Sequence, residues 1–171
     1  MFLTVTFSNA EHFRFEIKGS TYHPGNDVFK EVYGSGIIVG SELSFNVWKG
    51  LEIWIGGRFT SQKGEMTFTE EETKLKIYPV EGGFRYKLSL SQFFPYLCAG
   101  VGYCTIKEDT PVRDVSESGM SYLVKVGSYI KAGKRIVFDL NFNYTYCRIE
   151  ISQEVLNIGG IGVGVGIGYE F

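Results

Sequence analysis

Apolar and polar residues alternate with a period of two along most of this chain, and its last stretch shows the pattern most plainly. Ile161, Val163, Val165, Ile167, Tyr169 and Phe171 hold one parity, while Gly160, Gly162, Gly164, Gly166, Gly168 and Glu170 hold the other. Period two belongs to a β-strand with two unlike faces. Here one face is bulky and apolar and the other almost bare. A strand of a soluble sandwich would carry polar residues on its outer face. The bare face suits a small closed barrel with an apolar outside and a cramped inside.

The same pattern predicts seven earlier strands. Phe13, Phe15 and Ile17 define strand 1 over residues 11–19, and Ile37, Val39, Leu43, Phe45 and Val47 define strand 2 over 36–48. Lys49-Gly50 is a two-residue hairpin signal, leading to strand 3 over 51–60. Strand 4, over 74–88, is the least regular. Leu75 and Ile77 have the opposite parity to Val80, Phe84, Tyr86 and Leu88, so Pro79 is expected to mark a bulge that resets the register. Strands 5, 6, 7 and 8 fall over 94–104, 120–130, 135–147 and 158–171. Connections alternate long and short, the long ones being polar segments such as SQKGEMTFTEEET and Thr105 to Gly119. The segment YHPGND, around His23 and Asp27, reads as a turn.

Composition narrows the class. The 171 residues suit one domain, and 22 Gly with 16% aromatics against 4 Pro suit short strands and tight turns. A net charge of −2 gives no bulk attraction to nucleic acid. No apolar run reaches the length of a membrane-spanning helix, so a membrane location requires a closed barrel that satisfies every backbone group. The expected fold is therefore all-β, an eight-stranded antiparallel up-and-down transmembrane β-barrel in a single domain over 1–171. The start, MFLTVTFSNAEH, lacks a basic n-region and a small-residue cleavage site. The chain is expected to be a mature or trimmed form with any export signal already absent.

The segment FFPYLCAGVGY, Phe93 to Tyr103, and the ending GVGIGYEF carry a resemblance. The chain resembles the small eight-stranded outer-membrane barrel proteins of the OmpX, OmpA-barrel and OmpW type, over roughly Glu11 to Phe171. The resemblance implies residence in the bacterial outer membrane, with lipid and the barrel-assembly machinery as partners. It implies that Tyr169 and Phe171 act as the assembly signal. It implies no activity, because this fold carries anchors, adhesins, channels and lipid enzymes alike. A monomer is expected.

With the apolar face outward, the lumen receives Arg14, Lys18, Arg58, Arg85, Lys87 and Lys125 against Glu16, Glu42, Glu52, Glu81, Asp139 and Glu170. Six of each sign suit ion pairs better than a charge-selective pore, which carries a surplus of one sign. Arg14, Glu16, Glu42, Glu52, Arg58, Glu81, Arg85, Lys125 and Asp139 are the expected structural charge network. Trp48, Trp54, Tyr96 and Tyr129 share the inward parity, with the glycines of strand 8 expected to leave them room. Outward aromatics are expected to form two girdles: Phe84, Tyr86, Tyr169 and Phe171 on the turn side, and Phe59, Tyr103, Tyr122, Tyr144 and Tyr146 nearer the loops.

The chemistry of catalysis is thin. His12 and His23 sit in no HxS arrangement on a strand, and the alternating glycines of strand 8 lead into no helix. Cys98, Cys104 and Cys147 include no CxxC, and free thiols are expected. No catalytic residue, cofactor or metal is expected. The leading expectation is a largely plugged barrel acting as a structural or surface-interaction protein through its long loops. The alternatives are a narrow channel for small or hydrophobic solutes, a lipid-modifying barrel enzyme, and a soluble ligand-binding calyx of the lipocalin type with the faces reversed.

Overall fold

Strict alternation closes this chain into a barrel. The structure, a computed structural model, describes residues 13–65, 72–90, 92–109, 114–151 and 154–171. The strands are β1 (Phe13–Pro24), β2 (Gly36–Trp48), β3 (Leu51–Glu65), β4 (Glu72–Lys87), β5 (Phe93–Asp109), β6 (Asp114–Ala132), β7 (Ile136–Ile151), β8 (Glu154–Asn157) and β9 (Gly160–Glu170). Each pairs antiparallel with its neighbour, and β9 pairs with both β7 and β1 to close the ring. Segments β8 and β9 form one eighth strand. Arg148↔Asn157 on β8 and Thr145↔Gly160 on β9 belong to the same register against β7. Between them the Asn157 side chain takes over, accepting from the amides of Cys147 and Gly159 at 3.1 and 3.0 Å.

The facial assignment follows the alternation. Leu140, Phe142, Val163, Val165 and Ile167 are exposed on the outer wall, while Asp139, Asn141 and Asn143 are buried inside. All nine expected girdle aromatics face outward. Phe171 packs edge-on against Tyr169 at 5.0 Å, and its amide donates to the Phe13 carbonyl. The Lys49-Gly50 hairpin is present, with positive φ at both residues as a twisted two-residue turn requires.

Four local expectations are corrected. First, the strands outrun the apolar band. Much of the polar segments at 61–73, 105–119 and 148–157 is paired strand, so β6 reaches 19 residues where a bilayer needs about 9–11. Residues 11 and 12 of the expected first strand and 66–71 of the second polar segment lie outside the described residues. Second, Pro79 resets nothing. Gly57↔Val80 and Thr60↔Ile77 share one register, and Leu75, Ile77, Pro79 and Glu81 all point inward. Third, the irregularity in pairing lies between Asn46 and Trp48 on β2, and it turns Trp48 outward to 66% exposure instead of into the lumen. Fourth, the segment read as a turn continues into a helix, α1 (Asp27–Tyr33), capped by Asn26, whose side chain accepts from the Phe29 amide at 3.1 Å.

The lumen of the barrel as candidate site

Inward side chains fall into two zones, and the first is charged. Near the turn end, Arg14 makes a bidentate pair with Glu52, at 2.6 and 3.1 Å, and also reaches Glu16 at 2.9 Å and Glu170 at 3.4 Å. Lys87 approaches Glu52 at 2.8 Å and Lys131 approaches Glu170 at 2.6 Å. Deeper, Arg85 pairs with Glu42 and with Glu52, the latter at 3.2 Å. Lys125 also pairs with Glu42. Lys18 bridges Glu16 at 3.1 Å and Asp139 at 3.0 Å. Toward the loop end, Arg58 holds Glu81 at 2.7 Å and donates to Thr145 Oγ1 at 3.2 Å, while Ser121 donates to Glu81.

Tyrosines knit the ion pairs together. Tyr129 donates to Glu16 at 2.9 Å, and Tyr96 donates to Asp139 at 2.8 Å. Their rings stack at 4.7 Å, with the Arg14 guanidinium 4.0 Å above Tyr129. Burying charge in this way is tolerable because each carboxylate finds cations or hydroxyls close by. All nine residues of the expected charge network thus meet in one lumen.

Two features of this zone escaped the sequence. Lys131, just beyond the expected end of strand 6, supplies a further inward cation, held against Glu170. The glycines that make room for the large aromatics also lie elsewhere than expected. A Cβ on Gly100 of β5 would stand 2.4 Å from Trp54 Cζ2, and one on Gly127 of β6 would stand 2.7 Å from the Tyr96 hydroxyl. The glycines of β9 instead face Glu16, Lys18, Asn141 and Asn143.

The second zone is apolar. Above Arg58, Tyr22, Ile38, Leu75, Ile77, Ile106, Ile149 and Ile158 form a buried cluster with Cys104 and Cys147. Phe29 descends into it from α1, its ring tilted against that of Tyr33 at 4.9 Å. The Tyr22 hydroxyl donates to the Ile158 carbonyl. Nothing in the alternation announced this layer, because Leu75, Ile77 and Ile106 break the rule that apolar means outward. The Cys104 and Cys147 thiols lie side by side within it, and all three cysteines are free.

Cavities lie in both zones. A cavity of about 40 Å³ lies among Lys18, Glu42, Trp54, Arg58, Glu81 and Lys125, and one of about 20 Å³ lies among Tyr22, Ile77, Cys104 and Cys147. Ile38 and Arg58 line both. A third, of about 10 Å³, lies at the turn end by Arg14, Glu52 and Glu170. Trp54 Nε1 and Arg58 Nε are buried without a protein hydrogen-bond partner, and the 40 Å³ cavity that both residues line has room for water. His23 Nδ1 meets Ser35 Oγ at 2.9 Å, and His12 lies outside the described residues. Among the described residues no cluster of three or more His, Cys, Asp and Glu is arranged to hold a metal ion.

Comparison with known proteins agrees with this architecture. The family model of the outer membrane protein beta-barrel domain matches residues 2–171. The Neisserial surface protein A structure superposes with a TM-score of 0.73 at 16% identity, covering 93% of this chain and 97% of that one. The N-terminal β-barrel domain of OprF from Pseudomonas aeruginosa gives 0.61 at 13%, covering 94% and 98%. Ail, the attachment invasion locus protein of Yersinia pestis, gives 0.57 at 16%, covering 95% and 100%. No curated protein sequence matches the chain.

Proposed function

Because this chain belongs to the outer membrane protein beta-barrel domain family, we propose a function that the barrel performs in place, in the bacterial outer membrane: it is a monomeric, non-enzymatic surface-interaction protein whose lumen is closed to bulk solutes. The observation that carries this reading is the pairing of opposite charges across the whole lower lumen, with Arg14, Arg85 and Lys125 each buried against carboxylates. A conducting pore needs a wet path and profits from a surplus of one sign. Here the ion pairs and the apolar zone beneath Phe29 occupy that path in series.

Interaction with the outside then falls to the strand extensions and loops beyond the apolar band. The attachment invasion locus protein, similar in fold, is known in complex with the heparin analogue sucrose octasulfate. That precedent supports a surface role for a barrel of this size. Planar bilayers test the closed lumen directly. Wild-type protein should give no steady conductance at moderate voltage, and a stable open channel would overturn the reading.

A second reading rests on the apolar zone. Tyr22, Ile38, Ile77 and Ile158 line a chamber that a small hydrophobic solute could enter from the loop end. Saturable binding of an apolar fluorescent probe, lost on Ile38→Asn, would favour passage of such solutes over a closed barrel.

A further inference from the structure

We propose that Cys104 and Cys147 together bind a soft, two-coordinate metal ion, monovalent copper, in the apolar chamber at the loop end of the lumen. Both thiols are free and lie side by side, buried among Tyr22, Ile38, Ile77 and Ile149. They come from strands that do not pair with each other. Cys104 on β5 stands opposite Gly119 of β6, and Cys147 on β7 stands opposite Ser121 of β6. Gly119 contributes no side chain, and the Ser121 hydroxyl is taken by Glu81, so β6 lets the two sulfurs approach each other.

Spacing separates a metal bridge from a disulfide. One intervening strand puts the two Cα atoms about two strand spacings apart, roughly 9–10 Å. A relaxed disulfide needs less than about 7 Å. A linear sulfur–metal–sulfur unit is longer, because two metal–sulfur bonds of about 2.3 Å stand where a disulfide has one bond of about 2.05 Å. The ligand count then selects the ion. Among the described residues no third His, Cys, Asp or Glu joins the pair, so zinc, which takes four ligands, finds no site. Oxygens of the chamber are engaged elsewhere: Tyr22 donates to the Ile158 carbonyl, Thr60 donates to the Ile37 carbonyl at 2.8 Å, and Thr145 accepts from Arg58 at 3.2 Å. Two thiolates without oxygen ligands select Cu(I). One cation enters and two thiol protons leave, so the bis-thiolate complex carries one negative charge. Arg58 lines the same chamber and its Nε has no protein acceptor, so a cation stands beside the site to offset that charge. This inference does not depend on closure of the charged zone below.

The test uses the full chain folded in detergent micelles, reduced and then freed of reductant under argon. Cu(I) is added alone, the protein is challenged with bathocuproine disulfonate, and native mass spectrometry counts the ions retained. Wild type should hold one ion per chain, X-ray absorption should find two sulfur neighbours and no other ligand, and Zn(II) should not be retained. Cys104→Ser and Cys147→Ser should each lose the ion, while Cys98→Ser, which removes the third buried thiol, should keep it. Release of two protons should make the affinity fall by about a hundredfold for each pH unit of acidification. Retained heat-dependent gel mobility shows that each variant is folded, and the absorption measurement on wild type needs no variant. Retention by either serine variant at Cys104 or Cys147, loss in Cys98→Ser, or a third ligand on the metal would overturn the proposal. So would an intramolecular loss of two hydrogens from wild type in air, which would bring the two backbones within disulfide reach and assign the pair to a cross-link instead.

Discussion

Single residues show how sharply the two faces differ. Leu140 and Asn141 are neighbours in β7, yet Leu140 is exposed on the outer wall and Asn141 is buried, donating to Asp139 at 2.9 Å. Leu140→Arg should cost roughly 2–4 kcal/mol of folding free energy in lipid vesicles if it lies near the midplane, and less toward an interface. Asn141→Ala should cost about 1–3 kcal/mol through a lost buried hydrogen bond. Its penalty should not depend on bilayer thickness, whereas that of Leu140→Arg should rise in thicker bilayers. Urea titrations in two lipids measure both. Gly100 makes a different point. A methyl there would overlap the indole of Trp54, a residue only 3% exposed. Gly100→Ala should destabilise by about 1–3 kcal/mol through overpacking. Adding Trp54→Phe should recover part of that loss, because the smaller ring vacates the contested space. Failure of the double variant to recover would mean that the clash lies with the backbone of β4, where the Gly82 carbonyl is also close.

At the scale of elements, legibility followed the membrane. Strands β7 and β9 were readable because lipid on one side and a crowded lumen on the other force strict alternation, as in Phe138, Leu140 and Phe142 against Asp139, Asn141 and Asn143. Beyond the bilayer both faces meet water or other protein, and the alternation fades although the backbone pairing does not. Ser61, Gln62 and Lys63 therefore look like loop in the sequence but lie in β3. Leu75 and Ile77 mislead for the opposite reason: the lumen itself becomes apolar above Arg58, so inward residues there imitate outward ones. Helix α1 is seven residues long, too short for a periodic signature, and tertiary packing of Phe29 anchors it. Phe29→Ala should therefore release α1 locally before it unfolds the barrel. Amides of residues 29–34 should exchange faster, while those of β7 and β9 stay protected. Asn26→Ala should act in the same direction with a smaller effect, about 1 kcal/mol for a lost cap. Uniform loss of protection across the barrel would show that α1 is part of the cooperative core.

For the molecule as a whole, the charged lumen is a cost that the fold has to offset pair by pair. Removing one partner of a buried ion pair costs about 3–5 kcal/mol because the other charge is left behind. Arg85 is fully buried and serves Glu42 and Glu52 together, whereas Arg58 keeps 20% of its side chain exposed and serves Glu81. Arg85→Ala should therefore destabilise the barrel more than Arg58→Ala. The two should also differ in conductance. Arg58 lines both the 40 Å³ and the 20 Å³ cavities, so its truncation should join them into one chamber. Below that chamber the Arg14, Glu52 and Glu170 cluster stays intact, so Arg58→Ala alone should give no steady current. Truncating Arg14 and Arg58 together removes a barrier at each end of the charged zone. That double variant should show intermittent conductance while keeping its heat-dependent gel mobility. A steady current from Arg58→Ala alone would mean that the seal rests on the single Arg58–Glu81 pair. Silence of the double variant would place the seal in the layer between, where Arg85, Lys125 and Glu42 meet and Tyr96 stacks on Tyr129.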